Sequence, residues 1–509
     1  MQKRNLKYAA GVSAAVSAAL ILVNCSSGNV DQATPPTLTV PGISSAVVYS
    51  FDLGAVDKTT HTYYVTDRTN KAIDVVSGGQ VIAQFKQAFA GCNSTAAFCG
   101  VPGSSTAYAA GGGGNTCLGT NNSPGPEVDP LGITAMPGCL TVANASGFPV
   151  ASFPVNNDTS GPDGLDVVGN FLYAGDVNAL WVLDKTTGAL STKVTIASKP
   201  KGLRADEGCW DSTNNIYAIS TPGAANPTIT FLDTTVPGTP TIIVQVYMNG
   251  PDSLPSTGLE ACFSDGTNFW VNNDGTTANP DGEANTIPIS DILAIKAGGG
   301  LPKTAVFQGT ATFALATPAA TSIVTAGVLG SGGALGTAAV TVYPLIAGCT
   351  PTGIAPGPNN ELGTMCRPGA GAVPGATNRM DFVILNKTTG VIYYQGAGLG
   401  GGDQITYDAV SKRWFLANSR HTVTAGSVVG GFSCAGGSAT CPLSPVLTVI
   451  ADDGVAAPTL VGHFPSGNNA HSVAVDGALG IVYSPFTAPS ATGGGAAFPG
   501  GGINIYNTK

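Results

Sequence analysis

The apolar segments of this chain are short, bounded by turns, and apolar at consecutive positions. ALWVLD at 179–184 and FVILN at 382–386 show the pattern well. A strand exposed on one face alternates apolar and polar residues, whereas a strand covered on both faces does not. The segments also come in threes. An opening phrase starts with an acidic or polar residue. A second strand ends in a small or polar residue, and a third ends in Asp or Asn, often before a Thr-Thr-Gly turn. The opening phrases are DLGAVD (52–57), DGLDVVGN (163–170), DEGCWD (206–211), EACFSD (260–265), a degenerate TGIAPGPN (352–359), DQITYD (403–408) and HSVAVD (471–476). In the fourth copy, TIPISDILAI (286–295) takes the place of the third strand.

Seven such units, each apolar on both sides, predict an all-β, seven-bladed β-propeller, in which blades pack face to face. The last copy ends at its third strand, GINIYN (502–507). The segment from Leu38 to Gly42 is expected to supply the missing outer strand and close the ring, because an open ring leaves unpaired edges. An open or eight-bladed ring is the alternative. The phrases resemble YVTN and NHL repeats, most closely in YYVTDRTN (63–70) and AHSVAVD (470–476). That resemblance implies an exported bacterial propeller; it specifies a fold and no activity.

The first residues read as an address. Lys3, Arg4 and Lys7 precede an apolar run from Ala9 to Val23, too short for a comfortable membrane span, and Cys25 follows Asn24. This resembles a bacterial lipoprotein signal over 1–24, with Cys25 lipidated and 25–36 as a tether. Asn24 departs from the small residue usual there. An ordinary secretory signal or an uncleaved helix is the rival reading. The propeller then spans 37–509, with insertions at 87–160 and 309–350. An outer-membrane or cell-envelope location is implied, with membrane contact through the lipid alone. Cysteine usage agrees with export. Of eleven Cys, Cys92 and Cys99, Cys117 and Cys139, Cys349 and Cys366, and Cys434 and Cys441 are local pairs that fit disulfide-closed loops. Cys209 and Cys262 fall on adjacent blades, as a disulfide staple or as two buried thiols.

Composition narrows the partners. Net charge is −9 with 21 basic residues, and no basic stretch follows the N-terminus, so nucleic acid is a poor ligand. No CxxCH, GxxxxGK[ST] or GxSxG occurs, which removes covalent haem, P-loop nucleotide binding and the serine-hydrolase elbow. In an up-and-down blade, every long segment of this chain falls on one face and the short hairpins on the other. That stacking predicts a loop-built surface for a small molecule, polymer or protein.

Aligned on the opening phrase, one column gathers at the channel: Asp52, Asp163, Asp206, Glu260, Thr352, Asp403 and His471. Converging carboxylates repel, so they bind a cation, hold protons or find donors. Ca²⁺ or another divalent cation is expected on Asp52, Asp163, Asp206, Glu260 and Asp403. Asp163, Arg420, His421 and His471 are the expected ligand contacts near the mouth. Asp274, Asp281 and Glu283 form an acidic loop beside it. His61 is expected at the surface and His463 on an outer strand. Two functions stay open. One is an envelope binding module. The other is a metal-dependent lactonase or esterase, with Asp206 or His471 as general base. A quinone-cofactor or electron-transfer propeller is a weaker third.

Overall fold

The structure is a computed structural model that describes residues 35–89 except 46, 161–196, 204–222, 227–249, 258–274, 282–309, 324–331, 349–367, 381–421 except 389, 391 and 397, 423–424, 427–428, and 445–508 except 491–494 and 496. Cys25 and the pairs Cys92–Cys99, Cys117–Cys139 and Cys434–Cys441 lie outside these residues, as does Asp281. Among the described residues no helix is long and apolar enough to cross a membrane.

Seven antiparallel blades are present. Their inner strands are Phe51–Asp57, Leu165–Val168, Gly208–Asp211, Leu259–Ser264, Thr350–Pro356, Ile405–Asp408 and Ala474–Asp476. Blades 1, 2, 5 and 6 have their strands in plain sequence order from the inner strand outward. Blade 7 takes its outer strand from the N-terminal segment. Thr37 pairs with Asn504 and Leu38 with Ile503, so an N-terminal strand closes the ring as expected, at Thr37–Leu38 and not over Leu38 to Gly42. The Thr37 hydroxyl also donates to Asn504 Oδ1 at 2.7 Å.

Burial follows the consecutive-apolar pattern. In the strand Ala179–Asp184, Trp181 and Leu183 pack toward blade 1, while Leu180 and Val182 pack toward blade 3. Seven such clusters among the described residues fill the seven interfaces between neighbouring blades. The recurrent Asp at strand ends builds the hairpins. Asp184 Oδ1 accepts from the Thr186 and Thr187 backbone N–H groups at 3.0 and 2.8 Å, and Asp265 and Asn386 repeat the device.

Blades 3 and 4 depart from the expected pattern. Residues 286–295 do not continue as one strand. The strand Glu283–Pro288 gives way to a helix, Ile289–Ala297, that buries Ile289 and Ile292. Pro is pre-set for a helix start, and residues three apart share a helical face. The strands Lys303–Gly309 and Val324–Ser331 then pair with each other, and each pairs in parallel with an outer strand of blade 3 or blade 4. The two blades thereby form one nine-stranded sheet, and part of the expected 309–350 insertion is strand. Cys209 and Cys262 form a disulfide across the same interface, with Cα atoms 5.7 Å apart. Cys349 and Cys366 form a second, within blade 5.

Candidate functional site

The column read from the sequence does meet on the axis. Ligand atoms of Asp52, Asp403 and His471 lie within 4.8 Å of one another, as do those of Asp52, Asp163 and Asp206. Three inner strands carry a register shift at this level, over Phe51/Gly54, Leu259/Cys262 and Pro351/Ile354. Blade 3 shows what the irregularity does. Asp206 N donates to Ser220 O, and Ser220 N donates to Glu207 O, so two residues face one. A bulge of this kind re-aims side chains. It brings Glu207 beside Asp206 and Glu260, their carboxylate oxygens again within 4.8 Å. The space is close: a Cβ on Gly164 would sit 2.0 Å from Asp206 O.

Three arginines complete the ring, and the repeat phrase did not reveal them. Arg68, 1% exposed, pairs through Nη2 with Asp52 at 2.7 Å and Asp163 at 2.6 Å, and donates through Nη1 to Phe51 O. Arg204 pairs with Asp206 at 3.0 Å. Arg367 pairs with Glu260 at 2.5 Å and Asp274 at 3.2 Å. Arg68 directly follows the second strand of blade 1 and Arg367 ends the second strand of blade 5, where the chain returns to the level of the ring. That shared position, in a chain with so few basic residues, was the available signal. Thr352 is structural: its hydroxyl donates to Gly402 O at 2.5 Å.

Burial and pairing set the protonation states. Burial pushes Asp52 up, but Arg68, His471 and Arg204 outweigh it and hold the carboxyl below its usual range. Asp163 and Asp206 are pushed well above theirs, by burial first and neighbouring carboxylates next, despite their arginines. Burial raises Glu260 to about 8 against the pull of Arg367. Glu207 is raised well above its range by burial and by Asp206, Glu260, Asp403 and Asp52. His471 Nδ1 donates to Asn469 O at 2.7 Å, and Nε2 lies 3.4 Å from Asp52. Burial disfavours its charged form, but Asp52 and Asp403 win and raise it. The ring also stacks on Phe51 at 4.7 Å.

The other expected contacts lie elsewhere. Arg420 is exposed, its stem over Gly401. His421 is buried 5.0 Å from the His463 ring and does not join His471 in a pair. His463 is on the outer strand Thr459–Pro465, as read, and burial with His421 lowers it to about 4. His61 sits in a hairpin with Nδ1 2.9 Å from Asp476.

Below the ring lies a cavity of about 330 Å³ on the axis. Its inner end is formed by Glu207, Asp403 and Gln404, and its wall by Leu53, Leu165, Ile354, Ile405, Val473 and Trp210. It runs to Lys58, in the first hairpin of blade 1. The ring residues at the loop end are buried, with Asp403 half-buried. The cavity therefore extends toward the hairpin face, to which the sequence reading gave no role. Asp166 lines the wall, and burial raises it to about 7.

By sequence, no protein family and no curated protein matches the chain. Among solved structures, a chain of Kuenenia stuttgartiensis hydrazine synthase shares 9% identity over 92% of this chain and 99% of that one, with a TM-score of 0.49. A chain of the mitotic checkpoint complex shares 10% over 96% and 98%, at 0.44. The Neurospora crassa Pan2 WD40 domain shares 6% over 87% and 94%, at 0.41. The assignment of this chain as a seven-bladed β-propeller rests on its own strand order.

Proposed function

We propose that the protein is a binding module whose ligand seats on the propeller axis, in the cavity below the charged ring. One observation carries this: an apolar-walled cavity of about 330 Å³ ends on a buried set of carboxyl groups. Ligand sites have this make-up, an apolar body with a few convergent polar groups. The repeat resemblance and the lipoprotein-like N-terminus support an exported, envelope-anchored setting, and the long segments of the sequence are the proposed seat of a second, macromolecular partner.

The ring's chemistry weighs against a divalent cation and against hydrolysis. Ca²⁺ takes six to eight oxygen ligands, yet Asp52, Asp163, Asp206 and Glu260 each already face a guanidinium. A general base must be free to accept a proton. Both nitrogens of His471 face oxygens, which favours its protonated form, and Asp206 is engaged by Arg204. Metal analysis of purified protein is expected to find no stoichiometric divalent ion.

The direct test fills the channel. Ala55 lines the cavity, so Ala55→Trp is expected to abolish the stabilisation that ligands give in a small-molecule thermal-shift screen. Ligands that stabilise both proteins equally would place binding elsewhere and overturn the reading.

A further inference from the structure

Among the described residues no arginine pairs with Glu207 or Asp403 at the ring's crowded centre, and of the two Glu207 is buried while Asp403 is half-buried. Glu207 is 4% exposed, and no hydrogen bond or ion pair reaches its carboxyl among the described residues. Its neighbours repel it: Asp206 beside it, Glu260 from blade 4, Asp403 from blade 6 and Asp52 from blade 1. Its place at the inner end of the cavity gives it one route to a partner, through the channel.

The chemistry of that partner follows from charge and surface. The cavity lining carries Asp166, Glu207 and Asp403 against a single cation, Lys58, which is exposed at the far end. The arginines that reach the ring are already paired with carboxylates, so an anion gains nothing there. The same guanidiniums offset much of the ring's negative charge, which weakens its pull on a divalent ion. The wall is aliphatic, with Trp210 at its side, which suits an apolar body and adds an aromatic face for a cation.

Resting on the binding reading above, we propose that the channel takes an organic ammonium ion with a short apolar body, its nitrogen seated at Glu207. Binding favours the ionised form of Glu207, whose carboxyl is held well above its usual range by burial and by the neighbouring carboxyls. Complex formation at neutral pH therefore releases protons, an effect of linkage.

The test is calorimetry of the protein with phenethylamine, 2-phenylethanol and phenylacetate. Phenethylamine is expected to bind one to one, at least tenfold tighter than the other two. Its heat should vary with buffer ionisation enthalpy in the sense of proton release. Glu207→Gln, which mimics the protonated side chain and so preserves the fold, should weaken amine binding about tenfold or more, as loss of a charged hydrogen bond does. Equal amine binding by this variant, no proton release by the unaltered protein, or no amine binding at all overturns the proposal. If the alcohol or the acid binds instead and Ala55→Trp blocks it, the channel reading survives and the ammonium class fails. If no probe binds, both fail.

Discussion

Arg68 joins two blades at the residue scale. It reaches Asp52 of its own blade and Asp163 of the next, and all three are buried. Removing one partner of a buried ion pair strands the other charge, at a cost of about 3–5 kcal/mol. Arg68→Met is expected to lose that much by urea denaturation at neutral pH. The loss should shrink near pH 5, where the stranded carboxyls take up protons. A second buried pair sets a pH slope. Burial raises Asp67 well above its range and Asp74 to about 6, while Tyr49 and Gln84 donate to Asp74. A folded value above the unfolded 3.8 means the protonated form is favoured by folding. That contribution is complete below the unfolded value and fades as pH rises through about 6. Stability is expected to fall as pH rises from the unfolded value of 3.8 through about 6, and Asp74→Asn to flatten that fall. An unchanged slope in that variant would assign the effect to other groups. Most acidic members of the ring were legible because they recur at one place in the repeat. Glu207 was not, because strict strand alternation points it away from the axis until the bulge turns it back.

At the scale of elements, the blades were legible from consecutive apolar residues, and the closing strand from the three-strand last copy. The helix Ile289–Ala297 was not. Its Ile and Leu residues sit in a short run that periodicity alone does not divide between strand and helix, and Pro288 at the entry marks the change. The stitching of blades 3 and 4 by Lys303–Gly309 and Val324–Ser331 left no trace in the repeat, because those strands lie outside it. The staple at the same interface was open between a disulfide and two thiols, and it is a disulfide. It spans a sequence separation of 53 residues. Loss of a disulfide typically costs 2–4 kcal/mol. Cys209→Ser with Cys262→Ser is expected to lower the urea midpoint accordingly, with the blades intact by circular dichroism. A midpoint unchanged in the double variant would mean that the nine-stranded sheet alone holds the two blades.

In the whole molecule, one ring of packed blades has two unlike ends. Buried carboxylates, guanidiniums and an imidazole fill the axis where the inner strands begin, and open space follows where they end. The sequence pointed to the loop-bearing end, because the long segments gather there. The repeat phrase left out the arginines that occupy that end of the axis, and the sequence gave no sign of space beneath them, since a cavity belongs to the assembled ring and to no one repeat. Crystals of the protein soaked with phenethylamine test this directly. The predicted result is new density on the axis between Glu207 and Trp210, reached from the hairpins around Lys58. Density confined to the loop-bearing face, with the channel empty at saturating amine, would contradict the account.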